Sequence, residues 1–309
     1  VLEKVIYNGM LSGVALSGDL FFYPNPLESF GQHERSSWFN CACCPSNISR
    51  FMPSIPGYVY AQRGKALYIN LFVDCEADIV MNNNKISVIQ KTGYPWEGKV
   101  RIRLEPESEM KFAVHVRIPG WALEQPVPSD LYHFIDNFDE APTLKVNGEA
   151  IPLNMDKGYV PIQRTWKGGD TIELNLPMPV RRVESHPEVK ENRGKIALIR
   201  GPIVYCAEWP DNGGHVSNIV LSDDAELLTE TRDDLLNGVT VIKGQVLALF
   251  GFEDETTVRR ETQEFTAIPY YAWAHRGPGE MAVWLSREEG LEIQLQEDFS
   301  AGILEWKMK

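Results

Sequence analysis

From Tyr58 onward apolar residues recur at every second position, and that period is the strongest constraint on the fold. "YVYAQ", "ALYINLFV", "KISVIQ", "VRIRLE" and "KFAVHVRI" are short β-branched and aromatic runs. A two-residue period sets one face of each run against a core. Turn residues separate them, among them 63–65 and 82–84. "LKVNGEAI" places Asn147–Gly148 between two short apolar runs, the strongest local hairpin signal, because such turns need residues that tolerate positive φ. "GYVPIQRTWKGGDTIELNLPMPV" continues as strand, Gly-Gly turn and strand. Evenly spaced short strands of this kind predict an antiparallel β-sandwich.

A second all-β zone runs from about Val183 to the end. "KIALIRGPIVYCAE" predicts two strands broken at Gly201–Pro202, and "TTVRRETQEFTAIPYYAWAHRG" and "EMAVWL" predict more. The acidic, Leu-containing stretch from Ser222 to Asn237 reads as a short helix or a loop. The first 56 residues follow another pattern. Leu2, Val5, Ile6, Met10 and Leu11 fall close to helical spacing, which predicts a helix near 2–16. A second helix is expected near 45–52, after the loop "FFYPNPLESFGQHERSSWF", and Pro53 and Pro56 should end it early. No methionine opens the chain and no cap precedes the apolar pattern, so the chain is expected to be the C-terminal part of something longer. The spans expected are 1–56, 57–182 and 183–309.

With 43% hydrophobic and 24% charged residues the chain is ordinary globular material. A formal net charge of −13 argues against nucleic acid and against anionic membrane surfaces, which select for basic patches. No apolar run approaches the ~18 residues of a membrane-spanning helix, and no secretory signal pattern opens the chain. Five cysteines cannot all pair, and their clustering is not that of a secreted disulfide scaffold. A reducing, cytoplasmic location is the simplest expectation.

Three of those cysteines stand in "FNCACCPSNISRF", residues 39–51. Thiolate is the nucleophilic and metal-binding form of cysteine, and soft thiolates favour zinc, whose structural sites take four ligands. Pro45 suits the first turn of the following helix, whose start places partial positive charge beside the thiols. Cys-x-Cys-Cys is not one of the common zinc spacings. On spacing alone three readings stay open: a metal site, buried unreactive thiols, and a redox pair that would form only a strained disulfide.

The surrounding residues add a resemblance. "YNGMLSGVALSGDLFFYPNPLES", "WFNCACCPSNISR", "FAVHVRIPGWA" and "RTWKGGDTIELNLPMPVRRVESHPEVKENRGKIALIRGPIVYCAE" resemble the C-terminal part of glycoside hydrolase family 127, the family of the β-L-arabinofuranosidases. "IPYYAWAHRGPGEMAVWL" resembles its C-terminal domain. The similarity runs through nearly the whole chain in order. It implies a mainly β chain: the last helices of an (α/α)6 barrel, then two antiparallel β-sandwich domains. It also implies retaining hydrolysis of a β-L-arabinofuranoside or related carbohydrate, with a zinc-bound cysteine in place of the usual nucleophilic carboxylate. By that resemblance Cys43 is the nucleophile and a Zn2+ ligand, Cys44 a second ligand, and Cys41 a residue lining the site. Glu3 matches a carboxylate that holds the sugar, and Tyr23 an active-site tyrosine. The family's general acid/base and its remaining zinc ligands match nothing here, being expected upstream. The chain departs from the family pattern at Asn40, at Ser46 and at the Pro53/Pro56 pair.

Without the resemblance the same residues read plainly. Glu3 would be a solvated charge on a helix and Tyr23 part of loop packing. Cys75 and Cys206 lie in strand patterns and read as buried thiols. His33 reads as a surface residue, His115 as a strand residue without a function, and His186, His215 and His275 show no ligand spacing. Trp121 and Trp273 are expected in the core. Two other functions remain in view: a non-catalytic β-sandwich accessory or dimerisation module, and a structural or redox thiol site. A homodimer through the last sandwich is expected by analogy alone.

Overall fold

A computed structural model of the chain describes residues 1–252 and 258–288. The expected last span, to 309, and the start of the "TTVRRETQEF" run lie partly outside the described residues. The described chain is mainly β and divides into two compact units, each drawn from discontinuous stretches.

The first unit takes residues 1–3, 45–128 and 137–179. It holds a six-stranded sheet, in the order Glu149–Ile151, Thr143–Val146, Asp170–Asn175, Lys99–Pro106, Asn84–Thr92 and Cys75–Met81. A four-stranded sheet joins Tyr159–Trp166, Met110–Arg117, Ala66–Ile69 and Tyr60–Arg63. Alternation buries one face of the Lys99–Pro106 strand: Val100, Ile102 and Leu104 are at most 2% exposed, while Lys99, Arg101 and Arg103 are exposed. The expected hairpins form. Asn147 and Gly148 both take positive φ (50° and 83°) and join two paired strands, and Asn82 and Asn83 do the same for the 75–81 and 84–92 strands. The Gly168–Gly169 turn does something else. Tyr159–Trp166 pairs with Met110–Arg117, whereas Asp170–Asn175 pairs with Lys99–Pro106 and Thr143–Val146, so this turn carries the chain from one sheet to the other.

The second unit takes residues 4–44, 129–136 and the described residues from Val180. Its strands form one hydrogen-bonded sheet whose path closes on itself. Ile203–Glu208 pairs with Val258–Pro269, then follow Val239–Phe252, Ile219–Leu221, Trp284–Arg287 and Lys195–Arg200, which pairs back to Ile203–Glu208. Tyr205, Ala207, Leu221, Val241, Phe265 and Ala267 on these strands are at most 1% exposed. Glu28–Phe30, expected within a loop, adds to this sheet beside Glu280–Ala282.

Three expectations need correcting. Pairing is not wholly antiparallel: Ala66–Ile69 runs parallel to Met110–Arg117, and Ile219–Leu221 parallel to Trp284–Arg287. The stretch 222–237 contains a strand, Leu228–Arg232, paired with Val239–Phe252 through a turn where Leu236, Asn237 and Gly238 have positive φ. Its charged side chains face solvent, so no apolar period marks it. Cys75 is only half-buried, while Cys206 is buried as expected, and burial pushes its thiol well up.

The first helix is irregular: an α-turn at Leu2–Lys4, a π-helical stretch at Val5–Met10 and a 3-10 turn at Leu11–Gly13. The second spans Cys43–Phe51. A 3-10 turn with Pro53 and a short helix opening at Pro56 follow it, as a residue without an amide donor requires.

Candidate active site

The Cys43–Phe51 helix begins at the two adjacent cysteines, and Pro45 sits buried in its first turn. The helix start favours negative charge on nearby groups. Cys41 and Cys43 are exposed and Cys44 is half-buried; none of the five cysteines is in a disulfide.

The sulfurs of Cys43 and Cys44 are 3.7 Å apart. Two thiolates bound to one tetrahedral zinc, each at ~2.3 Å, would be separated by about 3.8 Å. The pair therefore fits one edge of such a site. A tetrahedral ion takes four donors, and among the described residues no group of three or more His, Cys, Asp or Glu side chains is arranged to hold a metal.

Tyr23 reaches both cysteines. Its hydroxyl lies 3.7 Å from the Cys43 sulfur, and its main-chain carbonyl accepts from the Cys44 thiol at 3.9 Å. The hydrogen bond with Tyr23, then that with Cys44, holds Cys43 below the ordinary thiol range. The same bond and the sulfur's charge push Tyr23 up to about 12, so the phenol stays protonated and donates when the sulfur is ionised. Burial first, then Cys43, raises Cys44. One of two adjacent thiols is thus favoured as an anion and the other disfavoured.

Several residues that sequence reasoning did not single out hold this stretch. Phe22 is 3% exposed and stacks on Trp273 with ring centroids 4.8 Å apart. Arg35 lies over the Phe22 ring and donates to the carbonyls of Ser12 and Trp273. Asn25 donates to the Gly9 carbonyl and accepts from Ser12. Asn8, buried in the π-helical stretch, donates to the carbonyls of Lys4 and Pro202 and accepts from the Val204 amide. Asn8 and Asn25 fall inside motifs quoted for the resemblance. Arg35 carried no signal beyond standing in a loop.

Glu3 belongs to the other unit, with its partners. It is 5% exposed, so the reading as a solvated charge is overturned. Its carboxylate accepts from the Tyr94 hydroxyl at 2.5 Å, from the Trp121 indole at 3.2 Å, and from both terminal nitrogens of Arg117. Trp121 and Trp273 are buried, as expected of core residues. His115 stacks on Tyr68 in the four-stranded sheet, and His275 bonds the Leu16 amide and the Ala272 carbonyl.

Three family models match in chain order. They are the "Beta-L-arabinofuranosidase, GH127 catalytic domain" over residues 1–57, the "Beta-L-arabinofuranosidase, GH127 middle domain" over 66–178, and the "Glycoside hydrolase family 127 C-terminal domain" over 180–286. A non-reducing end beta-L-arabinofuranosidase of Bifidobacterium longum is 31% identical, the match covering 93% of this chain and 45% of the relative. Among solved structures, a GH127 beta-arabinofuranosidase superimposes with a TM-score of 0.90 at 43% identity, covering 93% of this chain and 45% of that one. A GH127 beta-L-arabinofuranosidase from Geobacillus stearothermophilus follows at 0.83 and 38%, covering 93% and 46%. The chain thus spans just under half the length of the relatives it matches.

Proposed function

Because this chain belongs to glycoside hydrolase family 127, we propose that it carries the nucleophile and half of the zinc donors of a retaining β-L-arabinofuranosidase-like enzyme. The observation that supports this most is the Cys43 sulfur, set 3.7 Å from both the Tyr23 hydroxyl and the Cys44 sulfur. In this reading the Cys43 thiolate attacks the anomeric carbon and displaces the leaving oxygen, giving a thioglycosyl intermediate. Water then displaces the sulfur, and two inversions leave net retention. Zinc bound by Cys43 and Cys44 would keep the sulfur ionised and make it a better leaving group. Tyr23 donates to the sulfur while it is anionic. Cys41 and Tyr23 are proposed to line the sugar, and Glu3 would contact it only by exchanging one of its protein partners for a sugar hydroxyl. The departing oxygen needs a proton donor. We place that acid, and two further zinc donors, in the part of the family's length that this chain does not span.

On the same reading, residues 1–56 are the last helices of an (α/α)6 barrel, and the two sheet systems are the β-sandwich domains. A reducing compartment would keep the thiols available. In a protein carrying this chain with the rest of the family's length, Cys43→Ala and Cys43→Ser should lower kcat on a β-L-arabinofuranoside by at least ~10³-fold, as removal of a nucleophile does. Unchanged kcat would remove Cys43 from the chemistry and favour a non-catalytic accessory role for this chain.

A further inference from the structure

We infer that Arg35, together with the Phe22–Trp273 ring pair, is a positioning residue for Cys43, acting through Tyr23. The inference rests on reading Cys43 as the reactive thiol; its geometry stands on the residues of one compact unit. Tyr23 is 52% exposed, and the Phe39 ring meets it edge-on at 5.3 Å. So little packing on the ring cannot fix the side chain; its place comes from the backbone. Contact with the cysteines confirms the need, because the Cys44 thiol bonds the main-chain carbonyl of Tyr23 itself. That carbonyl follows directly on Phe22, whose ring is stacked on Trp273 at an interplanar angle of 13°.

Arg35 closes the arrangement. Phe21 and Ser36 exchange both backbone hydrogen bonds, at 2.8 and 2.9 Å, which sets Arg35 next to the pairing partner of Phe21. Its guanidinium carbon lies 4.3 Å from the Phe22 ring centroid, and its terminal nitrogens donate to Ser12 at 2.7 Å and to Trp273 at 3.1 Å. One cation thus ties the chain at Ser12, Phe22 and Trp273. Arg35 Nε and Trp273 Nε1 are buried without a hydrogen-bond partner. An apolar side chain in place of Arg35 would remove the unpartnered Nε. What it would not do is donate to two carbonyls while lying over the Phe22 ring, which the rigid guanidinium fork does.

The test is site-resolved alkylation of the 309-residue chain at one fixed pH, with chelator present, in Arg35→Ala, Tyr23→Phe and the double variant. Arg35→Ala and Tyr23→Phe are expected to change the Cys43 rate severalfold in the same direction. The double variant should change it no further than Tyr23→Phe alone, the non-additivity that marks one residue acting through another. Cys206, buried in the same unit, should stay protected throughout. Additive effects, an unchanged Cys43 rate in Arg35→Ala, or labelling of Cys206 together with Cys43 would overturn the inference. If Arg35→Ala does not fold, Arg35→Lys carries the same test, since it keeps the charge but loses the planar guanidinium fork. No step depends on hydrolysis, so loss of the glycosidase reading would leave this result intact.

Discussion

A carboxylate offers about four acceptor positions, and all four contacts at Glu3 come from its own chain: Tyr94, Trp121 and two from Arg117. Removing one partner of a buried pair leaves the other charge uncompensated. Glu3→Gln should therefore destabilise the unit containing residues 45–128 by roughly 3 kcal/mol, read from urea unfolding. A loss below about 1 kcal/mol would show that Arg117 finds another partner. His275 gives a pH prediction. Burial first, with Arg35 and Arg276 adding to it, holds its imidazole below the usual range, and its Nε2 accepts from the Leu16 amide. The unfolded chain therefore binds the proton more readily than the folded one. Stability contributed here is present above the ordinary histidine pKa near ~6.5 and is lost as pH falls below it. Thermal scans from pH 7.5 to 5.5 should show a steeper loss in the native chain than in His275→Gln. The burial of neither group was legible in the sequence. Glu3 has partners 91 or more residues away, and only those distant partners distinguish it from a solvated charge. The adjacency of the Cys43 and Cys44 sulfurs was legible because the two residues are contiguous.

Local elements were read where their cause is local. Asn147–Gly148 and Asn82–Asn83 form turns because these residues tolerate the positive φ observed, and the 43–51 helix stops just before its two prolines. Non-local pairing was not readable: alternation buries a face but does not name the neighbouring strand. Hence the two parallel pairings, the sheet-to-sheet crossing at Gly168–Gly169 and the closed circuit of the second unit appear only in the structure. Two glycines separate these kinds of constraint. A Cβ on Gly148 would meet nothing within 4 Å, so Gly148→Ala costs only the left-handed backbone, ~1 kcal/mol. A Cβ on Gly98 would overlap the Leu176 carbonyl and break the Leu176–Gly98 backbone hydrogen bond. Gly98→Ala should cost more than ~3 kcal/mol. Equal effects in chemical denaturation would contradict the distinction.

Across the whole molecule, exposed apolar side chains are unevenly spread. Of the fourteen large hydrophobic residues found exposed among the described residues, Val1, Leu2, Val5, Leu20, Tyr23, Leu27, Phe30, Trp38, Met52 and Tyr58 lie within the first 58 positions. Exposed apolar surface on that scale favours association. The 309-residue chain should self-associate with rising concentration in light scattering, less so in Phe30→Ser/Trp38→Ser, and a concentration-independent mass would contradict this. The same unevenness agrees with a chain spanning just under half the length of its relatives. The central claim is that Cys43 forms the covalent bond to sugar. Its most direct test is peptide mass spectrometry of a protein carrying this chain and the rest of the family's length, quenched during turnover of an activated β-L-arabinofuranoside. The account predicts one anhydropentose on the peptide containing Cys43, absent from Cys43→Ala. A pentose on a carboxylate instead, or turnover with inversion and no adduct, would contradict it.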